Sequence, residues 1–118
     1  MSESDRIVIK DLRLRCIIGT LPRERRRKQD VVIQVRMDAD LDAASRSDRI
    51  ADTVDYKAVK KRIMKAVEAS CFQLIERLAG RIAEICLEES RVRGVEVEVA
   101  KPGALRFART VSVVIRRS

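Results

Sequence analysis

The chain has 118 residues and a formal net charge of +8, with 46% hydrophobic and 37% charged residues, 3% aromatics and no histidine. This length fits one domain with a modest aliphatic core, and no apolar run reaches the length of a membrane helix. Without histidine, acid–base chemistry near neutral pH must fall to a lysine, a tyrosine or a carboxylate.

The opening Met1–Asp5 is polar and does not read as a signal segment. From Ile7 to Ile18 the residues alternate as in a strand. Ile7 and Ile9 share one face, the phase flips at Lys10-Asp11, and Leu12, Leu14, Cys16 and Ile18 then share one, which predicts a bulge. Gly19 to Gln29 reads as a loop carrying the basic cluster Arg23-Glu24-Arg25-Arg26-Arg27-Lys28. Asp30 to Leu41 is a second strand, with Val31, Ile33, Val35 and Met37 on one face and Gln34, Arg36 and Asp38 on the other. It is expected to pair antiparallel with the first.

Ala43–Asp55 is polar and reads as irregular. Val59, Ile63, Ala66 and Val67 follow at helical spacing, and Leu74, Ile75, Leu78, Ile82 and Ile85 form a second amphipathic stripe. After Gly94 comes the strand Val95–Ala100, which Pro102 and Gly103 close with a turn. Thr110–Arg116 is the fourth strand. The order β-β-α-α-β-β predicts an α+β fold in one domain, 1–118: a four-stranded antiparallel sheet with two helices on one face. Arg13, Arg15, Gln34, Arg36, Glu96, Glu98, Ser112 and Arg116 fall on the other face. That face is either plainly solvated or lines the wet interior of a larger barrel, formed where several subunits join their open sheet edges.

Cys16, Cys71 and Cys86 form no CxxC pair and each lies among apolar neighbours. They are expected as small core residues in a reducing cytoplasm. The basic loop lacks interleaved aromatics, so a nucleic-acid partner is not expected. No metal-ligand spacing, phosphate-cradling loop or nucleophile elbow is present.

Four residues hold the candidate chemistry, and each has two readings. Lys101 sits where strand becomes loop, either as a surface lysine or as a base presented by a rigid scaffold. Glu76 begins the second helix, either as a first-turn acid favoured by the helix dipole or as an anchor for a guanidinium-like edge. Tyr56 enters the first helix as a packing residue with a wet hydroxyl or as a proton carrier. Glu24 either compensates its basic loop or joins a site.

Several stretches together resemble the dihydroneopterin aldolase family and its close relatives, the dihydroneopterin triphosphate 2′-epimerases. They are Ile17-Ile18-Gly19-Thr20-Leu21-Pro22-Arg23-Glu24-Arg25, Lys28-Gln29-Asp30-Val31-Val32, Ser47-Asp48, Asp52-Thr53-Val54-Asp55-Tyr56, Phe72-Gln73-Leu74-Ile75-Glu76-Arg77-Leu78-Ala79 and Lys101-Pro102-Gly103-Ala104. They cover nearly the whole chain in the family's order. The resemblance implies the tunnelling fold, four subunits in a ring-forming barrel, commonly two stacked rings, and sites at subunit interfaces. It implies a pterin substrate held by Glu76 and by main-chain groups near Leu74 and Ile75. Tyr56 and Val54 would come from the neighbouring subunit.

Lys101 matches the family's catalytic lysine, Tyr56 its catalytic tyrosine and Glu24 the carboxylate near the substrate's side chain. The implied reaction is retro-aldol cleavage in folate biosynthesis, releasing 6-hydroxymethyl-7,8-dihydropterin and glycolaldehyde without metal or other cofactor. Arg13-Leu14-Arg15 and Ala104-Leu105-Arg106-Phe107-Ala108 resemble the epimerase branch. Lys101-Pro102-Gly103 and Thr53-Val54-Asp55-Tyr56 resemble the aldolase branch. Arg106 and the Arg23–Lys28 loop either attract a triphosphate, favouring epimerisation, or are simply solvated.

Overall fold

Four strands follow one another across the sheet in chain order, each antiparallel to the next. They are β1 (Arg6–Cys16), β2 (Gln29–Asp38), β3 (Gly94–Pro102) and β4 (Thr110–Arg117). The computed structural model describes residues 5–118; Met1–Ser4, most of the polar opening segment and the start of the 1–118 span, lie outside the described residues.

β1 carries the expected bulge. Its register on β2 shifts between Ile9 and Leu12, and Asp11 takes a left-handed φ of 56°, which aspartate tolerates better than most residues. Gln34 clasps the bulge. Its Oε1 accepts from the Asp11 amide at 2.8 Å and its Nε2 donates to the Asp11 carboxylate at 2.7 Å. The extra residue keeps Ile7 and Ile9 on the same side as Leu12, Leu14 and Cys16, so the whole strand can pack on the core.

Three helices link β2 to β3: the short α1 (Asp42–Ser47), α2 (Tyr56–Glu68) and α3 (Ile75–Leu87). α2 buries Val59, Ile63 and Val67, and α3 buries Leu78, Ala79, Ile82, Ala83, Ile85 and Cys86. α2 lies over β1 and α3 over β3 and β4. Their stripes meet Val31, Ile33, Val35, Met37, Val95, Val97 and Val99 of the sheet in one aliphatic core. Each large side chain so buried stabilises the fold by about 1.5–3 kcal/mol.

Several boundaries differ from the sequence expectation. The stretch read as irregular from Ala43 holds α1 and a 3-10 turn at Ile50–Asp52. Neither buries a residue, so no apolar period marked them; α1 is held locally by Asp40 and closed by the left-handed Asp48. β2 ends at Asp38 rather than Leu41, because its neighbours end there: Asp38 pairs with Arg6 and Gly94, which begin β1 and β3. β3 runs on through Lys101 and Pro102, held past Ala100 by β4 alone, where Lys101 faces Val111.

Cys16 and Cys86 are buried as expected, but Cys71 is exposed. It lies in the connection between α2 and α3, whose carbonyls rather than side chains are used. Burial pushes the Cys86 thiol up to about 11 and raises that of Cys16. The sheet is open within the chain, with β1 and β4 as its edges, so the expected barrel is not formed by one copy. Among the described residues, no helix is long and apolar enough to cross a membrane.

Candidate active site

Lys101 continues the inward alternation of Val95, Val97 and Val99, so its side chain enters the end of the core rather than the solvated face. A charge in that position demands a partner. Glu24 supplies it. The Lys101 ammonium donates to Glu24 Oε2 at 2.6 Å, and the two side chains are only 14% and 17% exposed.

Two further contacts fix the carboxylate, and a third fixes Gln29. The Leu21 amide donates to Glu24 Oε1 at 3.1 Å, Gln29 Nε2 donates to Oε2 at 3.3 Å, and the same Nε2 reaches the Ile18 carbonyl at 2.7 Å. The bond from Lys101 pulls the Glu24 carboxyl from 4.5 down to about 2; desolvation opposes this, and the Leu21 and Gln29 bonds assist it. Glu24 is therefore ionised throughout the neutral range.

The loop from β1 to β2 is built to hold that carboxylate. Gly19 has φ 131°, and a Cβ there would run into the Glu24 carboxyl group, so only glycine lets it fold back. Arg25 staples the loop to the α2–α3 connection. Its guanidinium donates to the carbonyls of Gly19 at 3.0 Å, Phe72 at 3.1 Å and Cys71 at 2.6 Å. The Gly19 amide adds a bond to the Phe72 carbonyl at 3.3 Å.

Sequence reasoning missed Arg25 and Gln29, reading the first as part of a basic cluster and the second as a loop end. Their only signal was their place within the motif stretches. The inward position of Lys101 was available from the alternation Val95-x-Val97-x-Val99-x-Lys101.

The remaining predicted residues fall in two places. Leu74 caps α3 by position only, with no side-chain bond to the helix amides. It is 52% exposed, and Ile75 is half-buried beside it. Glu76 lies exposed in the first turn, and its carboxylate makes no hydrogen bond or ion pair among the described residues. Among the described residues the Ile75 and Glu76 amides are unbonded, while those of Arg77 and Leu78 donate to the Leu74 carbonyl; two free amides and a free carboxylate thus share one helix end, which the Cys71 and Phe72 carbonyls tie to the Glu24 loop.

Val54 and Tyr56 stand at the far end of α2. Asp55 caps that helix by accepting from the Ala58 amide at 3.2 Å, and Tyr56 follows it, 53% exposed. The Val54 side chain is fully buried in the core, so Val54 offers only its backbone. Neither of its main-chain groups is bonded among the described residues. α2 has 13 residues and spans about 18 Å along its axis. Its C-terminal end at Glu68, not Tyr56, leads into the Cys71–Phe72 connection. The chain therefore brings Glu24 and Lys101 together but keeps Tyr56 from them.

A cleft of about 890 Å³ opens beside the ion pair, between the β1–β2 loop and the turn Pro102-Gly103-Ala104. Gly103 adopts φ 75° in that turn.

An open antiparallel sheet backed by two long helices thus presents two candidate sets of polar groups, a lysine–carboxylate pair at its end and a free acid on a helix terminus. The family model for dihydroneopterin aldolase matches residues 7–116. The chain belongs to the dihydroneopterin aldolase family.

It is 40% identical over 110 residues to a dihydroneopterin triphosphate 2′-epimerase of Pseudomonas aeruginosa, covering 93% of this chain and 89% of that protein. It is 39% identical to the folic acid synthesis protein FOL1 of Dictyostelium discoideum over 97% of this chain, which spans only 17% of that longer protein. Among solved structures it resembles Escherichia coli dihydroneopterin aldolase in complex with neopterin, with TM-score 0.92 and 32% identity over 97% of this chain and 99% of the other. It also resembles a Burkholderia dihydroneopterin aldolase bound to guanine, with TM-score 0.83 and 26% identity over 98% and 92% of the two chains.

Proposed function

We propose that residues 1–118 act as one domain, a 7,8-dihydroneopterin aldolase that cleaves its substrate to 6-hydroxymethyl-7,8-dihydropterin and glycolaldehyde. The observation that carries this reading is the inward Lys101 bonded to Glu24 in a chain of this family. Glu76 and the free amides at the start of α3 form an acceptor–donor set that complements the amino, ring N–H and carbonyl edge of a pterin. Guanine, the ligand of the Burkholderia relative, presents the same edge.

In this reading Glu24 receives the substrate's hydroxylated side chain. Lys101, as free amine or through a water, removes the 2′-hydroxyl proton. The C1′–C2′ bond then breaks, its electron pair passes into the C6–N5 imine, and glycolaldehyde leaves. Because that imine is the electron sink, the step requires neither a Schiff base nor a metal. Tyr56 delivers a proton to the resulting enamine carbon to complete the product.

Tyr56 would then come from another copy, since the length of α2, about 18 Å, lies between it and the Cys71–Phe72 connection that abuts the Glu24 loop. Four copies joined edge to edge between β1 and β4 would close a ring barrel, and two rings would stack. The unpaired edges of the open sheet support this assembly. So does the polar face, where Arg36 pairs with Glu96 at 2.9 Å and Asp30 with Arg15 at 3.0 Å. Such a face suits a wet lumen.

A second reading is 2′-epimerisation of the triphosphate: the C1′–C2′ bond breaks, the glycolaldehyde fragment keeps the triphosphate, and the enamine carbon re-adds to the other face of its aldehyde before release. The 40% identity to an epimerase favours it. Chromatographic product analysis with dihydroneopterin and its triphosphate separates the two. The aldolase reading expects glycolaldehyde and 6-hydroxymethyl-7,8-dihydropterin from dihydroneopterin. Epimer without cleavage supports the second reading, and no change in either substrate refutes both.

A further inference from the structure

The loop cations left over from the site have an unusual status. Five cationic side chains line the cleft beside Glu24, against two acids. Both acids are already engaged: Glu24 by Lys101 and Asp30 by Arg15 and Arg13. Arg15 is spent on Asp30 and on the Lys28 carbonyl.

Arg23, Arg26, Arg27 and Lys28 remain. None of the four side chains forms a salt bridge or hydrogen bond among the described residues. They stand exposed along one wall of a concavity. Four unneutralised cations in a cleft raise the local concentration of a multiply charged anion. Arginine forks in particular match phosphate oxygens.

The other lining residues narrow the ligand. Leu21, Pro102 and Ala104 are its apolar members, so among the described residues its lining offers no aromatic platform on which a nucleobase could stack. Arg106, by contrast, is not part of the wall; it stacks on Phe107 at 5.3 Å from the ring centroid. The cleft adjoins the ion pair that receives the substrate's side chain in the proposed reaction. A tail extending from that side chain would run along the cationic wall.

We infer that Arg23, Arg26, Arg27 and Lys28 form an anion subsite for the oligophosphate tail of a phosphorylated pterin substrate. This rests on the pterin reading of the adjoining site, but its binding arm does not.

The test compares the wild type with the double variant Arg26→Ala/Lys28→Ala, whose side chains are exposed and unbonded, so the fold is expected to survive. Kinetics are measured on dihydroneopterin and on its triphosphate. Binding of inorganic tripolyphosphate is measured by calorimetry at two salt concentrations. The subsite predicts that the variant raises KM for the triphosphate by about tenfold or more and leaves KM for dihydroneopterin within about twofold. It also predicts that tripolyphosphate binds the wild type, weakens with salt, competes with the triphosphate and binds the variant at least about tenfold less tightly.

Equal effects on both substrates, or tripolyphosphate binding unchanged in the variant, overturn the subsite. Tripolyphosphate binding at the loop without any advantage of the triphosphate over dihydroneopterin makes it a site for free polyphosphate and overturns the tail assignment. If neither pterin is turned over, the pterin reading fails, and the calorimetry alone still decides whether the wall binds oligophosphate.

Discussion

Replacing Glu24 by glutamine keeps the shape of the loop and removes the charge opposite Lys101. The drop of the Glu24 carboxyl from 4.5 to about 2 corresponds to about 3 kcal/mol of folded-state preference for the ionised form. The pair borders an open cleft, and screening by its water reduces this to about 1–2 kcal/mol. The carboxyl is depressed in the folded state, so its contribution is complete above the unfolded value of 4.5 and is lost as pH falls towards about 2. Urea unfolding at one protein concentration should show Glu24→Gln less stable than wild type by about 1–2 kcal/mol at neutral pH. Between about pH 5 and pH 3 that gap should shrink by more than half, because only the wild type's unfolded chain takes up a proton at position 24 below 4.5 while its folded pair stays ionised. A gap that stays constant across this range would show that Glu24 stabilises by shape rather than charge.

Two other substitutions probe the site's supports. Glu76→Ala should weaken pterin binding by about 2–3 kcal/mol, close to a hundredfold in Kd, while changing stability by less than about 0.5 kcal/mol. Unchanged affinity in a fluorescence titration would end its role as anchor. Arg25→Ala removes three charged hydrogen bonds to carbonyls and should lower unfolding stability by about 2–4 kcal/mol. A loss under about 0.5 kcal/mol in urea would contradict the staple between the Glu24 loop and the α2–α3 connection.

Much of the architecture was legible because its signals are periodic. Val31, Ile33, Val35 and Met37 alternate cleanly, the stripes of α2 and α3 repeat at helical spacing, and the phase flip at Lys10-Asp11 marked a real bulge. α1 was not legible, since a six-residue helix that buries nothing leaves no pattern. Cys71 was misplaced because neighbouring apolar residues do not tell which way a connection points its side chains.

The site was readable only in part, for a physical reason. Glu24 and Lys101 are 77 residues apart in sequence and meet through the folding of a loop over a strand end. Sequence pattern can show that Lys101 faces inward, but not which carboxylate answers it. Arg25 and Gln29 work through backbone carbonyls and a shared carboxylate oxygen, contacts that no spacing rule encodes. Tyr56 is the opposite case: its residue type suggested chemistry, and it stands at the opposite end of α2 from the connection stapled to the Glu24 loop.

The central claim is that Lys101 performs the proton transfer that starts carbon–carbon cleavage. Single-turnover release of glycolaldehyde from dihydroneopterin, measured beside pterin binding for the wild type and Lys101→Ala, tests it most directly. The account predicts that the variant still binds the pterin within about threefold and loses cleavage by about a thousandfold or more. Cleavage by Lys101→Ala at the wild-type rate would contradict it.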